Sequence, residues 1–349
     1  MTTFKDKSET LKGLFCLAPF TTALIDGGGL VYICGCERWL PTPVGNINEN
    51  SMESILKNHV SKKIRNSITD HSYIYCNENA CKVLINNELQ RKEELPYEYS
   101  NLNVANTSPM DYLQTIFLAG DMTCNLSCPS CRKKVIKYAD KGMFNRNERD
   151  KVLSLVKNLF NSPLKNLREI VMSTSGELFA SEILLKVLVE ANLKNFPKCM
   201  LHIQTNGLLM KNRWHRLGQW SQRVSTINLT ADACTKVEYE KLRRGGKYEV
   251  LLENLEWLKE KKQKDNIHVI IKMVMQKENI KQLEQFYQFA KYYNADEVHY
   301  ARITDWKSMR PEEFRDADVL SPRHKDFETA NEMLTTFKNK NYPDAKFIG

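Results

Sequence analysis

The sequence predicts an α/β fold: parallel strands with helices outside them, curved as a partial barrel or open and doubly wound, behind a small cysteine-rich N-terminal module. From about residue 114, short apolar runs of strand length alternate with stretches that carry apolar residues at three- and four-residue spacings. Such alternation builds a parallel sheet, because each helical crossover returns the chain to the same end of the next strand. The second observation is a change of composition near residue 100. Residues 1–95 hold five of the ten cysteines and most of the turn signals, which indicates a small module organised around something other than a large core.

In that module, Asp26-Gly27-Gly28-Gly29 and Pro41-Thr42-Pro43 read as turns, and Leu30-Val31-Tyr32-Ile33 as a β-type run. A polar stretch from Glu98 to Met110 reads as a linker. The candidate strands that follow are Thr115–Ala119, Glu169–Ser173, Met200–Thr205, Thr226–Thr230, His268–Val274 and Glu297–Ile303. Between and beside them, Glu148–Phe160, Glu182–Leu193, Arg213–Trp220, Tyr248–Lys262 and Leu283–Tyr293 carry the helical pattern. The expected division is therefore a module over residues 1–97, a linker over 98–111, the strand–helix repeat over 112–305 and a C-terminal extension over 306–349. In either arrangement of the sheet, chemistry belongs at the C-terminal ends of the strands.

The opening MTTFKDKSETLKGLF has neither the apolar core nor the cleavage site of a secretory signal, and no apolar stretch approaches bilayer-spanning length. The expected location is cytoplasmic, with no membrane partner. Cytosolic thiols are kept reduced, so tightly spaced cysteines point to metal or redox sites rather than to disulfides. Lys and Arg exceed Asp and Glu by nine. The excess is spread out, with groups at Arg132-Lys133-Lys134 and at Lys241, Arg243, Arg244 and Lys247. No aromatic-interleaved RNA motif accompanies it, so it is assigned to solvated helix faces and to contacts with phosphate or carboxylate groups rather than to nucleic acid.

The sharpest signal is Cys124-Asn125-Leu126-Ser127-Cys128-Pro129-Ser130-Cys131, directly after the first candidate strand. Three thiolates can ligate three irons of a [4Fe–4S] cluster and leave the fourth open to a small molecule. A structural zinc site takes four protein ligands, and this loop supplies three with no histidine nearby.

A CxxxCxxC loop after the first strand of a βα repeat resembles the radical S-adenosylmethionine (SAM) superfamily, and the likeness extends over about residues 112–305. Ser130 departs from it, since many members place an aromatic residue before the last cysteine. The resemblance implies a partial (β/α)6 TIM-type barrel and SAM chelated to the open iron by its amino and carboxylate groups. One electron then cleaves SAM to methionine and a 5′-deoxyadenosyl radical, which abstracts hydrogen from an unactivated carbon.

The family's Gly-Gly-Glu segment is matched by Ser173-Thr174-Ser175-Gly176-Glu177, whose carboxylate suits the SAM ammonium. Thr205-Asn206-Gly207 and Thr230-Ala231-Asp232 follow the third and fourth candidate strands. By resemblance Thr230 contacts the SAM ribose or carboxylate, and Arg243 or Arg244 pairs with the carboxylate. The candidate SAM contacts are thus Ser175, Gly176, Glu177, Asn206, Thr230, Asp232, Arg243 and Arg244. Two structural readings stand beside them: a plain turn at Ser175-Gly176-Glu177, and Asp232 as the N-cap of a helix over Thr235–Leu242.

Cys16, twelve residues, Gly29, four residues and Cys34 resemble the opening of SPASM and twitch domains, the auxiliary-cluster modules of many radical SAM enzymes. With Cys76 and Cys81 they make four ligands, enough to complete an auxiliary [4Fe–4S] cluster. Four cysteines in a small turn-rich module also satisfy zinc, and Cys36 stands as an alternative to Cys34. The module resembles that of a radical SAM subgroup in which it precedes the barrel, with segments like Trp39–Ile47 and Tyr75-Cys76-Asn77 between or beside the ligands. The family implies an electron donor such as flavodoxin or ferredoxin. It also implies one of three substrates: a ribosomally made peptide oxidised at carbon, a sugar or aminocyclitol undergoing dehydrogenation or epimerisation, or RNA. The auxiliary-cluster association favours the peptide.

Overall fold

The computed structural model describes residues 11–100, 102, 108–119, 121–137, 158–160, 164–172 and 175–348. Most of the predicted helix Glu148–Phe160, part of the predicted linker 98–111, and Ser173 and Thr174 lie outside these. The chain forms two units: Met1–Gly120 with Phe144–Thr174 and Glu190–Met200, and Asp121–Met143 with Ser175–Val189 and Leu201–Gly349.

In the first unit, strand β1 (Leu14–Phe15) carries Cys16 at its end, and β2 (Thr22–Ile25) turns back through Asp26–Gly29 into β3 (Leu30–Tyr32) and then β4 (Gly45–Asn46). Asp26 Oδ1 accepts the N–H groups of Gly28 and Leu30, each at 2.8 Å, and so closes that turn. Gly29 has φ +85°, and a Cβ there would collide with the Asn48 amide and lie 2.6 Å from Asn46 Oδ1, so the position accepts no side chain. Helix α1 (Met52–Lys57) starts at Ser51, whose side chain accepts from Ser54 N, and α2 (His59–Thr69) starts at Asn58, whose side chain accepts from Ser61 N.

β5 (Gln90–Arg91) pairs antiparallel with β1. β6 (Thr115–Leu118) pairs in parallel with β2 on one side and with β7 (Glu169–Met172) on the other, giving the order β7-β6-β2-β3-β4. The polar and turn-rich N-terminal sequence thus contributes a fully hydrogen-bonded strand, Thr22–Ile25, that the sequence pattern leaves unassigned. Phe15, Phe20, Ile68, Tyr73, Leu95, Tyr99 and Leu102 form a core beside it, with Cys16 and Cys76 packed on the edge.

The second unit is a run of five parallel strands: β8 (Met200–Thr205), β9 (Val224–Thr230), β10 (His268–Met275), β11 (Glu297–Arg302) and β12 (Ala345–Ile348). Its helices are α3 (Glu182–Glu190), α4 (Lys236–Leu242), α5 (Tyr248–Asp265), α6 (Leu283–Tyr292), α7 (Pro311–Ala317) and α8 (Phe327–Lys338). Alternate strand residues, Ile203, Ile227, Leu229, Ile271, Met273, Val298 and Tyr300, are fully buried. Tyr300 packs edge-on against Phe286 of α6 and Phe337 of α8, which places the helices on that apolar face.

The predicted helix Arg213–Trp220 is broken, because Gly218 adopts φ 55° and ψ −132° and splits it into short tight turns. The extension beyond residue 305 supplies a further parallel strand, β12, beside β11. No helix among the described residues is long and apolar enough to cross a membrane.

Candidate active site

The three-cysteine loop is clamped at both ends. Cys124 N–H donates to Ile136 O at 2.9 Å, and Ser127 N–H donates to Arg244 O at 3.0 Å. Arg244 returns the contact through Nε to Ser127 Oγ (3.2 Å) and through Nη2 to Lys133 O (3.2 Å). Every sulfur of the loop faces a nitrogen donor. Cys124 Sγ receives Leu126 N–H at 3.4 Å and Asn206 Nδ2 at 3.8 Å; Cys128 Sγ receives Arg243 Nη1 at 3.4 Å; Cys131 Sγ receives Arg132 Nη2 at 3.5 Å. Burial pushes the Cys124 thiol up to about 11 and raises Cys128, with Arg243 opposing the rise at Cys128. Buried thiols of this kind stay protonated unless cations or a metal stabilise the thiolate. Donors and cations aimed at the sulfurs fit an iron–sulfur cluster.

Ser175, Gly176 and Glu177 lie against this loop. A Cβ at Gly176 would collide with the Asp121 carbonyl oxygen and lie 2.7 Å from that of Thr123, so the turn reaches the loop only as glycine. Glu177 N–H donates to Thr123 O at 2.7 Å, and Arg132 Nη2 donates to Ser175 O at 2.9 Å. The Glu177 carboxylate is 1% exposed and accepts from Phe179 N, Thr205 Oγ1 and Asn206 N, the last at 2.7 Å. Burial raises its pKa and those donors oppose the rise. In this structure Glu177 therefore ties the turn to the C-terminal end of β8. Asn206, held there, also donates to Asn125 Oδ1 at 2.9 Å.

Asp232 and Arg243 meet beyond the end of β9. Asp232 has φ 67° and accepts Val274 N–H at 2.8 Å, while Thr235 occupies the N-cap of α4, so the N-cap reading of Asp232 does not hold. Arg243 Nη2 donates to Thr230 O, and its Nε lies 3.2 Å from Asp232 Oδ2 without hydrogen-bond alignment. Burial works against the Arg243 charge, yet Asp232 and Cys128 raise its pKa overall. Arg243, held by Asp232 and the Thr230 carbonyl and donating to Cys128 Sγ, sets a buried positive charge at the loop, which suits an anionic group there. The structure thus gathers Ser175, Gly176, Glu177, Asn206, Thr230, Asp232 and Arg243 around the cysteine loop, with Arg244 bracing it from behind.

Sequence reasoning named Arg132 only within a basic group, for solvated faces or contacts with phosphate or carboxylate, and missed Asn125 as part of the site. It also missed the Asp121–Ser181 side-chain contact beside the loop. Adjacency to Cys131 is the one signal that marked Arg132.

The other cysteine set belongs to the first unit. Cys34 and Cys81 are buried, and Cys16, Cys36 and Cys76 half-buried. Asn77 N–H donates to Trp39 O at 2.7 Å and Cys81 N–H to Asn77 O at 2.7 Å, which joins the Cys34–Cys36 turn to the Cys76–Cys81 turn. Burial pushes the Cys16 thiol up to about 11 and the Cys34 thiol up to about 12, and raises Cys76 as well. The charges of fellow cysteines add to each rise, through all six pairs that Cys16, Cys34, Cys76 and Cys81 can form; Cys36 enters only beside Cys34. Among the described residues no three cysteine, histidine or carboxylate side chains gather tightly enough for a single metal ion.

A family model described as the radical SAM superfamily matches residues 122–290, and one described as an iron–sulfur cluster-binding domain, SPASM, matches residues 16–82. Among solved structures, histidine-tagged anSMEcpe with bound AdoMet is 19% identical with a TM-score of 0.45, covering 68% of this chain and 63% of its own. Streptococcus suis SuiB bound to precursor peptide SuiA is 16% identical with a TM-score of 0.43, covering 84% of this chain and 63% of its own. The chain thus spans about 63% of the length of these structures. A search of the curated proteins finds no match.

The fold is α/β, with parallel strands flanked by helices and a small cysteine-rich N-terminal module, and the cofactors that go with the two matched family models are SAM, the [4Fe–4S] cluster that binds it and an auxiliary cluster. By these matches the chain carries a radical SAM superfamily domain over residues 122–290, which holds the cysteine loop, and a SPASM iron–sulfur cluster-binding domain before it over residues 16–82.

Proposed function

We propose that this enzyme oxidises a ribosomally made peptide at an unactivated carbon–hydrogen bond. The observation that carries the reading is the pair of separate thiol sets, three in the loop at Cys124–Cys131 and, in the SPASM module, Cys16, Cys34, Cys76 and Cys81. When bound at the loop, the cluster and SAM supply a 5′-deoxyadenosyl radical that removes one hydrogen atom from the substrate.

Cys124, Cys128 and Cys131 hold that cluster, and Arg132 and Arg243 place positive charge at its sulfurs. The Arg243 guanidinium supplies positive charge toward the SAM carboxylate, and the turn at Ser175-Gly176-Glu177 offers the Ser175 carbonyl to the ammonium, with the buried Glu177 carboxylate holding that turn against β8. Cys16, Cys34, Cys76 and Cys81 hold the group that accepts the electron left when the substrate radical becomes a closed-shell product. For the oxidation to balance, the substrate would lose a hydrogen atom and then one electron and one proton, the electron passing to the group that Cys16, Cys34, Cys76 and Cys81 would hold. The SPASM match supports a peptide substrate, since domains of this kind accompany peptide oxidation. A cavity of about 530 Å³ beside the loop is lined by Arg132, Lys133, Lys241, Arg244 and Arg310 together with Glu278, Glu313 and Asp316; its basic excess, with Arg132, Lys133 and Arg244 at the loop, suits an acidic electron donor such as flavodoxin or ferredoxin.

The test is anaerobic turnover of the reconstituted enzyme with perdeuterated candidate peptides. Deuterium is expected in 5′-deoxyadenosine, together with a peptide lighter than the substrate by the mass of the abstracted atoms. Alanine at Cys16, Cys34, Cys76 or Cys81 is expected to remove the auxiliary cluster and stop product formation while SAM cleavage continues; alanine at Cys36 is expected to leave both clusters in place. No label transfer with any peptide overturns the substrate class. Normal turnover without the auxiliary cluster overturns the electron-acceptor role, and loss of the auxiliary cluster from the Cys36 variant overturns the ligand set.

A further inference from the structure

Successive side chains of a strand point to opposite faces, so the apolar face that β8–β11 turn to the helices has a counterpart made of the alternate residues. Beside the apolar Ile270 and Val274 of β10, that counterpart carries a set of polar residues. Gln204, Asn228, Thr230, Lys272 and His299 all lie on it, each half-buried. The parallel register sets Gln204 beside Asn228, Thr230 beside Lys272, and Lys272 beside His299. Thr230, Lys272 and His299 therefore form one row across three adjacent strands. The row lies at the C-terminal end of β9, directly before the Asp232–Arg243 pair. Ala231 N–H and Asp232 N–H both donate to Lys272 O, at 3.0 and 3.3 Å, which fixes the backbone beneath that lysine.

A sheet face that serves only for packing is apolar, as the opposite face is. An ammonium and an amide on a half-buried face cost free energy unless something satisfies them. His299 is satisfied, with Nε2 2.6 Å from Glu297 Oε2. The Lys272 ammonium makes no hydrogen bond or ion pair among the described residues, and Asn228 Oδ1 is buried without a donor. Burial lowers the Lys272 pKa and Arg243 adds to that, while Asp232 opposes it. The carboxylate of Asp232 is already engaged by Val274 N–H and Arg243, so the lysine is left for a ligand.

We propose that Lys272 is a substrate-binding residue whose ammonium, in the row with Thr230 and His299, receives a carboxylate of the substrate. The inference rests on the reading that this end of the strands carries the reaction, and it narrows the substrate to one with an acidic group near the reacting carbon. A compact, strongly hydrated cation on a flexible stem suits a carboxylate that must be placed without a fixed bidentate geometry.

The test is acetylation of the reconstituted holoenzyme in the presence of SAM, followed by peptide mass spectrometry. The probes are the capped tripeptides acetyl-Gly-Glu-Gly-amide and acetyl-Gly-Gln-Gly-amide. The glutamate probe is expected to slow acetylation of Lys272 about fivefold, while the glutamine probe and the exposed lysines, such as Lys57, show no such effect. Equal protection by both probes, or none by either, overturns the proposal. A Lys272→Met variant, which removes the charge and keeps the stem, is expected to retain both clusters; loss of either means that the lysine is structural and overturns the proposal too. Labelling requires no turnover, so the outcomes separate. Acid-selective protection in a protein that fails to cleave SAM refutes the reaction and leaves the site, whereas SAM cleavage without acid-selective protection refutes the site alone.

Discussion

Joint replacement of Cys124, Cys128 and Cys131 by alanine is expected to remove one [4Fe–4S] equivalent and abolish reductive cleavage of SAM. Among the described residues the groups that hydrogen-bond to these sulfurs are amide and guanidinium nitrogens, which cannot ligate iron in their place. The loss in rate should be complete within detection, since no other group in the site can deliver an electron to the sulfonium. The auxiliary cluster should remain, because its candidate ligands lie in another unit of the chain. Iron and sulfide counts with electron paramagnetic resonance of the reduced protein check both halves. Formation of 5′-deoxyadenosine at the wild-type rate by the triple variant would refute the assignment of the site.

Gly176→Ala is expected to do nearly as much damage with a single methyl group. The added carbon would occupy space taken by the carbonyl oxygens of Asp121 and Thr123, and backbone cannot rotate aside as a flexible side chain can. Overpacking of this kind costs about 1–3 kcal/mol and is relieved by backbone shifts. Here the shift falls on the residues leading into Cys124 and on the hydrogen bond from Glu177 N to Thr123 O. The variant should assemble less of the SAM-binding cluster and bind SAM weakly, with the auxiliary cluster retained. Gly28→Ala is the matched control, because the nearest atom to its added carbon is Asp26 Oδ1 at 3.4 Å. Full cluster content and unchanged SAM affinity in Gly176→Ala would mean that the turn does not support the cysteine loop.

The six strands β6–β11 fall on the six apolar runs read from the sequence, with ends differing by no more than two residues. A strand buried on one or both faces must be written in apolar and β-branched residues, so its position survives in one dimension. β2 and β12 left weaker traces. Thr22–Ile25 sits among turn signals and Ala345–Ile348 carries an alternating pattern of four residues; each becomes a strand because a neighbouring strand offers unpaired backbone groups. The helix read over Arg213–Trp220 failed because its glycine is a break rather than a tolerated interior residue.

By itself the sequence determined the chemistry at the cysteines. Ligand type and close spacing are local properties, and Cys124, Cys128 and Cys131 needed no fold to be recognised as a set. The tertiary structure alone decided how the remaining candidates act. Glu177 faces donors from Phe179, Thr205 and Asn206, and Asp232 faces an arginine eleven positions later rather than a helix end. Lys272 stands in a row with residues 42 positions before it and 27 after it. Pairing, burial and orphaned donors are relations between distant residues, set by strand register and by which face the helices cover, and a linear pattern does not carry them.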